Sequence, residues 1–190
     1  MTCIILIIDS KRMYLGADMQ GTDSTFHADY QDKIFHRGEL LIGVSGSYAI
    51  GNSLRYRVKI PKLDKDFQTP NQIRDYVHRR LWRQIKETLT EDDLIASEDG
   101  ELKIGGCILI GIRGMIFVIQ EDFAILEPRT PYYSIGSGNP YGFATMMCLD
   151  RQEVKMHAET KVREAILIAS KHCPGVSEDV LMLIAPNQPE

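Results

Sequence analysis

The alternation of hydrophobic and polar positions predicts a strand block at the start of the chain. A β-branched run from Thr2 to Ile8 is followed by a polar turn and a returning apolar stretch from Met13 to Ala17, which is typical of a β-hairpin. A second hairpin is predicted from Lys33–His36 and Leu40–Ser45, on either side of the turn at Gly38.

Two helices are expected after these hairpins. The first is predicted from Ser47 to about Arg57, and a polar loop follows it over residues 59–70. The second begins with Thr69 as N-cap and Pro70 at the first helical position. It carries an apolar residue at every fourth position to Leu89, which is the pattern of an amphipathic helix. An exposed acidic connection is expected over residues 90–101.

The second half of the chain repeats the order of strands and then helices. The predicted strands cover residues 102–112, 115–120, 124–126 and 132–136. Helices are expected from about Pro140 and over about Glu153–His172, and the run at 180–185 predicts a final buried strand.

This order predicts an α+β fold in a single domain over residues 1–190. Strands that come as hairpins favour antiparallel sheets over a parallel, doubly wound sheet. Two such sheets packed face to face, with the helices on their outer sides, give four layers in the order αββα.

Composition narrows the class of protein. The 190 residues are 44% hydrophobic and 25% charged with a net charge of -4, values of a globular domain that do not suggest a nucleic-acid partner. No segment approaches the length of a membrane span. The cysteines (Cys3, Cys107, Cys148 and Cys173) have no CxxC spacing and indicate reduced thiols in a cytoplasmic protein. The five histidines are scattered, so neither a metal nor another cofactor is expected.

The chain start raises a question, because a small hydroxyl residue, Thr2, stands between Met1 and a run of aliphatics. The run could be a secretion signal, a buried strand, or a strand headed by a nucleophile that becomes terminal when Met1 is removed. The secretion signal is excluded, because no basic stretch precedes the apolar run and the run ends at Asp9 after six apolar residues.

Four short stretches in the rest of the chain favour the nucleophile. They are GAD ending at Asp18, Lys33 at the start of a strand, the turn Ser45–Ser47 around Gly46, and the glycine-rich turn IGSGNPY at 135–141. Each has a plain alternative: a strand end, a solvated edge charge or an ordinary helix entry. Those alternatives explain each stretch alone, but they do not predict that all four occur together in one chain with Thr2.

On these motifs the chain resembles the proteasome β-subunit and HslV peptidase family of N-terminal nucleophile hydrolases. GADMQGT (16–22), Lys33 and the Gly46 turn match the family's pattern, and IGSGNPY is its most specific feature here. The resemblance covers most of the chain and weakens between about 58 and 130.

The resemblance implies a role for each matched residue. Thr2 would be the nucleophile, with its own α-amine as the base once Met1 is gone. Lys33 would lower the pKa of that amine, and Asp18 would orient Lys33. The Gly46 N–H would receive the oxyanion and Ser137 would bond the Thr2 amine. Cys3 points the opposite way on a strand, so we interpret it as core.

The function implied is a threonine-type endopeptidase subunit of a homo-oligomeric ring. It would act on polypeptides, with an ATP-dependent unfoldase as a possible partner. Two alternatives remain: a non-catalytic ring subunit, and a hydrolase of a small amide with the same nucleophile. The non-catalytic alternative arises from the segment before the last strand, where active members of the family carry an Asp and, three residues later, a Ser. Here Lys171 or His172 stands near the Asp position, and Ser177 and Asp179 follow.

Overall fold

The structure, a computed structural model, describes residues 1–22, 27–28, 32–64, 69–98 and 100–188. In chain order the strands are β1 (Ile4–Ile8), β2 (Arg12–Asp18), β3 (Gly21–Thr22), β4 (His27–Ala28), β5 (Ile34–Arg37), β6 (Leu40–Gly46), β7 (Ile95–Glu98), β8 (Glu101–Ile104), β9 (Gly106–Ile112), β10 (Met115–Ile119), β11 (Ile125–Leu126), β12 (Tyr132–Ile135) and β13 (Val180–Pro186). The helices are α1 (Tyr48–Asn52), α2 (Pro70–Asp75), α3 (Trp82–Glu91), α4 (Asn139–Arg151) and α5 (Ala158–His172).

The strands form two larger antiparallel sheets. One has the order β12-β1-β2-β13 and the other the order β11-β10-β9-β6-β5. Both predicted hairpins are present, β1 with β2 and β5 with β6. Two small ribbons, β3 with β4 and β7 with β8, stand outside these sheets.

Alternation along the strands divides the core into three apolar layers. On β1, Ile4 and Leu6 pack between the two sheets, whereas Cys3, Ile5 and Ile7 pack against α4 and α5. The outer face of the five-stranded sheet packs against α1, α2 and α3. The predicted four-layer α+β sandwich is therefore confirmed.

The same alternation fixes the direction of the first residues. Thr2 shares the parity of Ile4, so its side chain belongs to the face between the sheets, and Cys3 belongs to the helix side. The chain start is thus held at one end of the gap between the two sheets.

The predicted helix starts are confirmed where the capping chemistry was strongest. The Thr69 side chain accepts from the Gln72 N–H while the Gln72 side chain accepts from the Thr69 N–H, which is a capping box with Pro70 as the first helical residue. From α2 the helix runs on through a π-helical segment, Tyr76–Leu81, into α3. A second π-helical segment, Ser53–Arg57, extends α1.

Arg37, the last residue of β5, binds the end of the helix formed by α1 and its π-helical extension. Its guanidinium donates to the carbonyl oxygens of Leu54, Arg55 and Val58. Carbonyls in the last turn of a helix lack partners within the helix, so one side chain satisfies several of them.

Three expectations about the second half were wrong. The acidic connection is partly a β-ribbon, in which Ile95 of β7 is paired with Ile104 of β8. The single strand predicted over 102–112 is divided into β8 and β9 at Gly105. The helix predicted from Glu153 begins at Ala158, because Glu153 has a φ of 50°, which a helix cannot contain. The loop expected over 59–70 is irregular as far as residue 64, and residues 65–68 lie outside the described part.

The last strand is also more exposed than expected. β13 pairs with β2 on one side alone, as the edge of its sheet, and Ala185 is its one buried residue. An apolar run predicts a buried strand only when both faces and both edges are covered, and here the edge is open.

We predict that Gly16→Ala destabilises the fold. A Cβ at this position of β2 would overlap Val162 of α5, and overpacking of this kind costs about 1–3 kcal/mol. Gly51→Ala is the matched control, because a Cβ there lies 4.0 Å from its nearest neighbour and Ala is the better helix former. Urea unfolding followed by circular dichroism measures both. Equal stabilities of the two variants would contradict the close packing of α5 on β2.

Candidate active site

A buried ion pair between Asp18 and Lys33 forms the base of the site. The Lys33 Nζ and the Asp18 Oδ2 are 2.7 Å apart, and the residues are 5% and 0% exposed. Asp18 stands at the end of β2 and Lys33 directly before β5, so the pair joins the two sheets at one end of the sandwich. The alternative of a solvated edge charge at Lys33 is wrong.

Asp18 is held by backbone groups from three parts of the chain. Its Oδ1 accepts from the Cys3 N–H at 2.7 Å, and its Oδ2 accepts from the N–H groups of Gln20 at 3.2 Å and Ser177 at 3.4 Å. A carboxylate with this many donors keeps one orientation, so the position of the Lys33 ammonium is fixed as well.

Burial and the ion pair act on Lys33 in opposite directions. Burial lowers the pKa of Lys33, and the charge and hydrogen bond of Asp18 raise it, with the balance below the ordinary lysine value. Asp18 thus opposes the loss of the proton from Lys33.

The peptide group between Met1 and Thr2 lies above this pair. The Lys33 Nζ is 3.4 Å from the Met1 carbonyl oxygen, which also accepts a hydrogen bond from the Thr2 Oγ1 at 2.6 Å. The cation and the hydroxyl therefore meet at the same atom. Thr2 is 8% exposed.

Ser137 approaches Thr2 from the turn between β12 and α4. The Thr2 N–H donates to the Ser137 Oγ at 2.9 Å, and the Thr2 carbonyl accepts from the Gly138 N–H at 2.9 Å. Gly136 makes this approach possible: its φ is 92°, and a Cβ there would overlap the Thr2 carbonyl. The conformation of the glycine-rich turn is what brings Ser137 to Thr2.

Gly46 ends β6 beside the same space. Its φ is 101°, and a Cβ would overlap the backbone of Gly105 and Gly106, so the turn requires glycine. Thr2, Gly46 and Ser137 together line a cleft of about 450 Å³.

The structure therefore brings together all five predicted site residues, Thr2, Asp18, Lys33, Gly46 and Ser137. Asp18, Lys33, Thr2 and Ser137 form one chain of contacts through the Met1–Thr2 peptide. Gly46 shares the cleft with Thr2 without a hydrogen bond to it among the described contacts.

Residues after α5 complete the surroundings of the site. The Cys173 Sγ is 3.8 Å from the Ser137 Oγ and 3.9 Å from the Met1 Sδ. The Ser177 Oγ accepts from the Met19 N–H, and its own N–H reaches Asp18. His172 points elsewhere and stacks on the ring of Tyr141. Sequence reasoning considered Ser177 and missed Cys173, whose only signal was its position between the helix and the last strand.

Cys3 is core, as the strand alternation predicts. It is fully buried on the helix side, and burial above all raises its pKa to about 12. A thiol with so high a pKa supplies almost no thiolate near neutral pH, so Cys3 is a poor nucleophile.

Two further observations concern the described residues as a whole. They contain no group of three or more His, Cys, Asp or Glu side chains arranged to hold a metal ion. None of their helices has the length and hydropathy needed to cross a membrane.

Sequence comparison identifies relatives among bacterial proteases. No family model matches the chain. It is 30% identical to the ATP-dependent protease subunit HslV of Petrotoga mobilis over 82 residues, which are 43% of this chain and 46% of that protein. It is 26% identical to HslV of Desulfovibrio desulfuricans over 156 residues, 82% of this chain and 79% of that protein. The chain thus spans less than half of the first relative and most of the second.

Solved structures share the fold along the whole chain. Thiobacillus denitrificans BPH in complex with epoxomicin superposes with a TM-score of 0.78 at 18% identity, covering 98% of this chain and all of that one. Eukaryotic HslV from Trypanosoma brucei superposes with a TM-score of 0.68 at 18% identity, covering 97% and 99%. The chain is thus similar in sequence to bacterial HslV protease subunits and shares its fold with solved structures that include an HslV.

We predict that Asp18→Asn lowers the pKa of Lys33 further. The substitution keeps the size of the side chain and removes the charge that opposes the effect of burial. An NMR titration of the labelled lysine ε-methylene groups measures the pKa. Asp9→Asn is the control, because Asp9 binds the turn after β1 and leaves the Lys33 titration unchanged. An unchanged or raised pKa of Lys33 in Asp18→Asn would show that the pair is not the electrostatic unit described above.

Proposed function

We propose that this chain is a threonine-type endopeptidase subunit, a single proteasome-like domain over residues 1–190 that uses Thr2 as its nucleophile after removal of Met1. The observation that carries the proposal is the buried Asp18–Lys33 pair aimed at the Met1–Thr2 peptide. A buried pair costs solvation energy and is weak evidence for a purely stabilising role. The Lys33 ammonium and the Thr2 hydroxyl both contact the Met1 carbonyl oxygen, and this proximity to the proposed nucleophile supports a chemical role for the pair.

Removal of Met1 would convert the Thr2 N–H into a free α-amine beside Ser137. Such an amine has a pKa near 7.7–8.0 in peptides, so a useful fraction is neutral near pH 7. The Lys33 ammonium, held by Asp18, would lower that pKa further. The amine can then accept the proton of the Thr2 hydroxyl, directly or through a water molecule.

The reaction follows from these positions. The Thr2 Oγ1 attacks the carbonyl carbon of the substrate, the carbonyl oxygen becomes an oxyanion, and the Gly46 N–H stabilises it by about 3 kcal/mol. The C–N bond breaks as the Thr2 amine gives its proton to the leaving nitrogen. Water then attacks the ester on Thr2, releases the acid and restores the hydroxyl.

The names of the relatives support the proposal that this chain assembles with further subunits. The curated relatives are called ATP-dependent protease subunits, and we infer that this chain likewise forms a homo-oligomeric ring with an ATP-dependent unfoldase as partner. Enclosure in a ring would restrict an open threonine site to unfolded polypeptides that are delivered to it.

One observation favours the non-catalytic ring subunit as the second candidate. Among the described residues after α5, the thiol of Cys173 lies beside Ser137, and no carboxylate of that segment has a described hydrogen bond to Thr2 or Ser137. A ring subunit without turnover would share the fold and the buried pair and would fail every hydrolysis assay.

We predict that Thr2→Ala, prepared without Met1, loses peptide hydrolysis by about 1,000-fold or more, because the nucleophile is absent while the strand remains. A fluorogenic peptide measures the rate, and circular dichroism and sedimentation check fold and assembly. Thr145→Ala is the control, since its hydroxyl binds the Tyr141 carbonyl on α4 and Thr145 does not line the cleft at Thr2. Hydrolysis retained in Thr2→Ala would overturn the nucleophile, and no hydrolysis by the processed wild type would favour the non-catalytic subunit.

We also predict that the protein sediments as a ring-sized multiple of the 21.6 kDa chain. Native mass spectrometry of the wild type gives the number of subunits. A monomer over the whole accessible concentration range would contradict the ring and leave the hydrolase of a small amide as the better account.

A further inference from the structure

The cleft at Thr2 extends away from the ion pair, across the five-stranded sheet. Its lining continues from Gly46 through Gly106 and Cys107 to Gln120 and Glu121, just beyond β10. This arm of the cleft takes no part in the reaction described above.

The order of the strands gives the length of this arm. Gly46 is paired with Gly106, and Ile119 with Ile108, so Glu121 continues the β9–β10 register to the level of Gly106. Neighbouring strands are about 4.8 Å apart, which puts the backbone of Glu121 roughly 10 Å from Gly46. An extended substrate rises about 3.3 Å per residue, so one or two residues and a long side chain cover that distance.

The position of the Thr2 amine indicates which part of a substrate enters the arm. The leaving nitrogen must take a proton from that amine, which lies against Ser137. Ser137, Tyr133 and Glu121 line the same cleft, and β12 lies opposite β9 across the gap between the sheets, on the side away from the ion pair. Residues that follow the scissile bond are therefore directed toward Glu121.

Glu121 is held at the mouth of the arm by its backbone. Its carbonyl accepts from the Ile104 N–H at 2.9 Å, and Gln120 before it exchanges hydrogen bonds with Phe123 and Ala124 across a turn. Among the described residues that line the cleft, it carries the one charged side chain. The pKa of Cys107, which also lines the cleft, is raised first by burial and next by the negative charge of Glu121.

We propose that Glu121 determines specificity on the leaving-group side, favouring substrates with lysine or arginine at the first or second position after the scissile bond. The proposal rests on the proposed peptidase function. The carboxylate would pair with the substrate cation at the rim of the cleft, where an exposed pair gives a preference of up to about fivefold in kcat/KM. The preference should weaken as salt is added, because exposed charges are screened.

The test uses the assembled, processed protein and a set of internally quenched peptides. The peptides share one acyl-side sequence and carry lysine, glutamine or glutamate at the two leaving-side positions, and mass spectrometry of the products identifies the bond that is cut. The wild type is compared with Glu121→Gln, Glu121→Lys and the control Glu164→Gln, an exposed carboxylate on α5 outside the cleft.

The expected result is a lysine-over-glutamate preference in the wild type and in Glu164→Gln, its loss in Glu121→Gln and its reversal in Glu121→Lys. Equal ratios in wild type and Glu121→Gln, or a lysine preference confined to the acyl side, would overturn the assignment. A coumarin amide, which has no residue after the scissile bond, is assayed on the wild type. If the coumarin amide is hydrolysed and the quenched peptides show no leaving-side preference, only the role of Glu121 is contradicted. If no substrate is cleaved, the peptidase proposal itself is contradicted.

Discussion

The rest of the site depends on the ion pair between Asp18 and Lys33. A charged pair removed from water needs further partners, and here these are the backbone N–H groups of Cys3, Gln20 and Ser177. Those three groups lie directly before β1, just after β2 and in the segment before β13. The partners that keep the pair satisfied thus also fix the chain start, so the stability of this end of the sandwich and the position of Thr2 have the same physical cause.

Much of the fold could be predicted from the sequence because its signals are local. The two hairpins, the capping box at Thr69 and the glycine-rich turn after β12 each follow from residues close together in the chain. Two of the expectations that were wrong lacked such a local signal. Whether β13 is buried depends on what covers its free edge, and the short ribbon of β7 and β8 has too few apolar residues to stand out from an acidic connection.

The candidate site shows the same division. Thr2, Asp18, Lys33, Gly46 and Ser137 could be named from motifs because each stands close to the beginning or end of a strand. In the structure Thr2, Gly46 and Ser137 line one cleft, and the Asp18–Lys33 pair reaches the Met1–Thr2 peptide beside it. Cys173 and Glu121 lie in segments without a motif. The packing of α5 brings Cys173 to Ser137, and the register of β9 and β10 brings Glu121 to the cleft. Residues nearby in the chain indicate neither.

The central claim is that the ion pair serves a nucleophile that exists only when Thr2 is the first residue. The most direct measurement compares peptide hydrolysis by chains that begin at Thr2, released from a cleavable N-terminal fusion and verified by intact mass, with chains that retain Met1. The account predicts hydrolysis in proportion to the fraction of chains that begin at Thr2 and none from chains with Met1. Equal hydrolysis by the two preparations would contradict it.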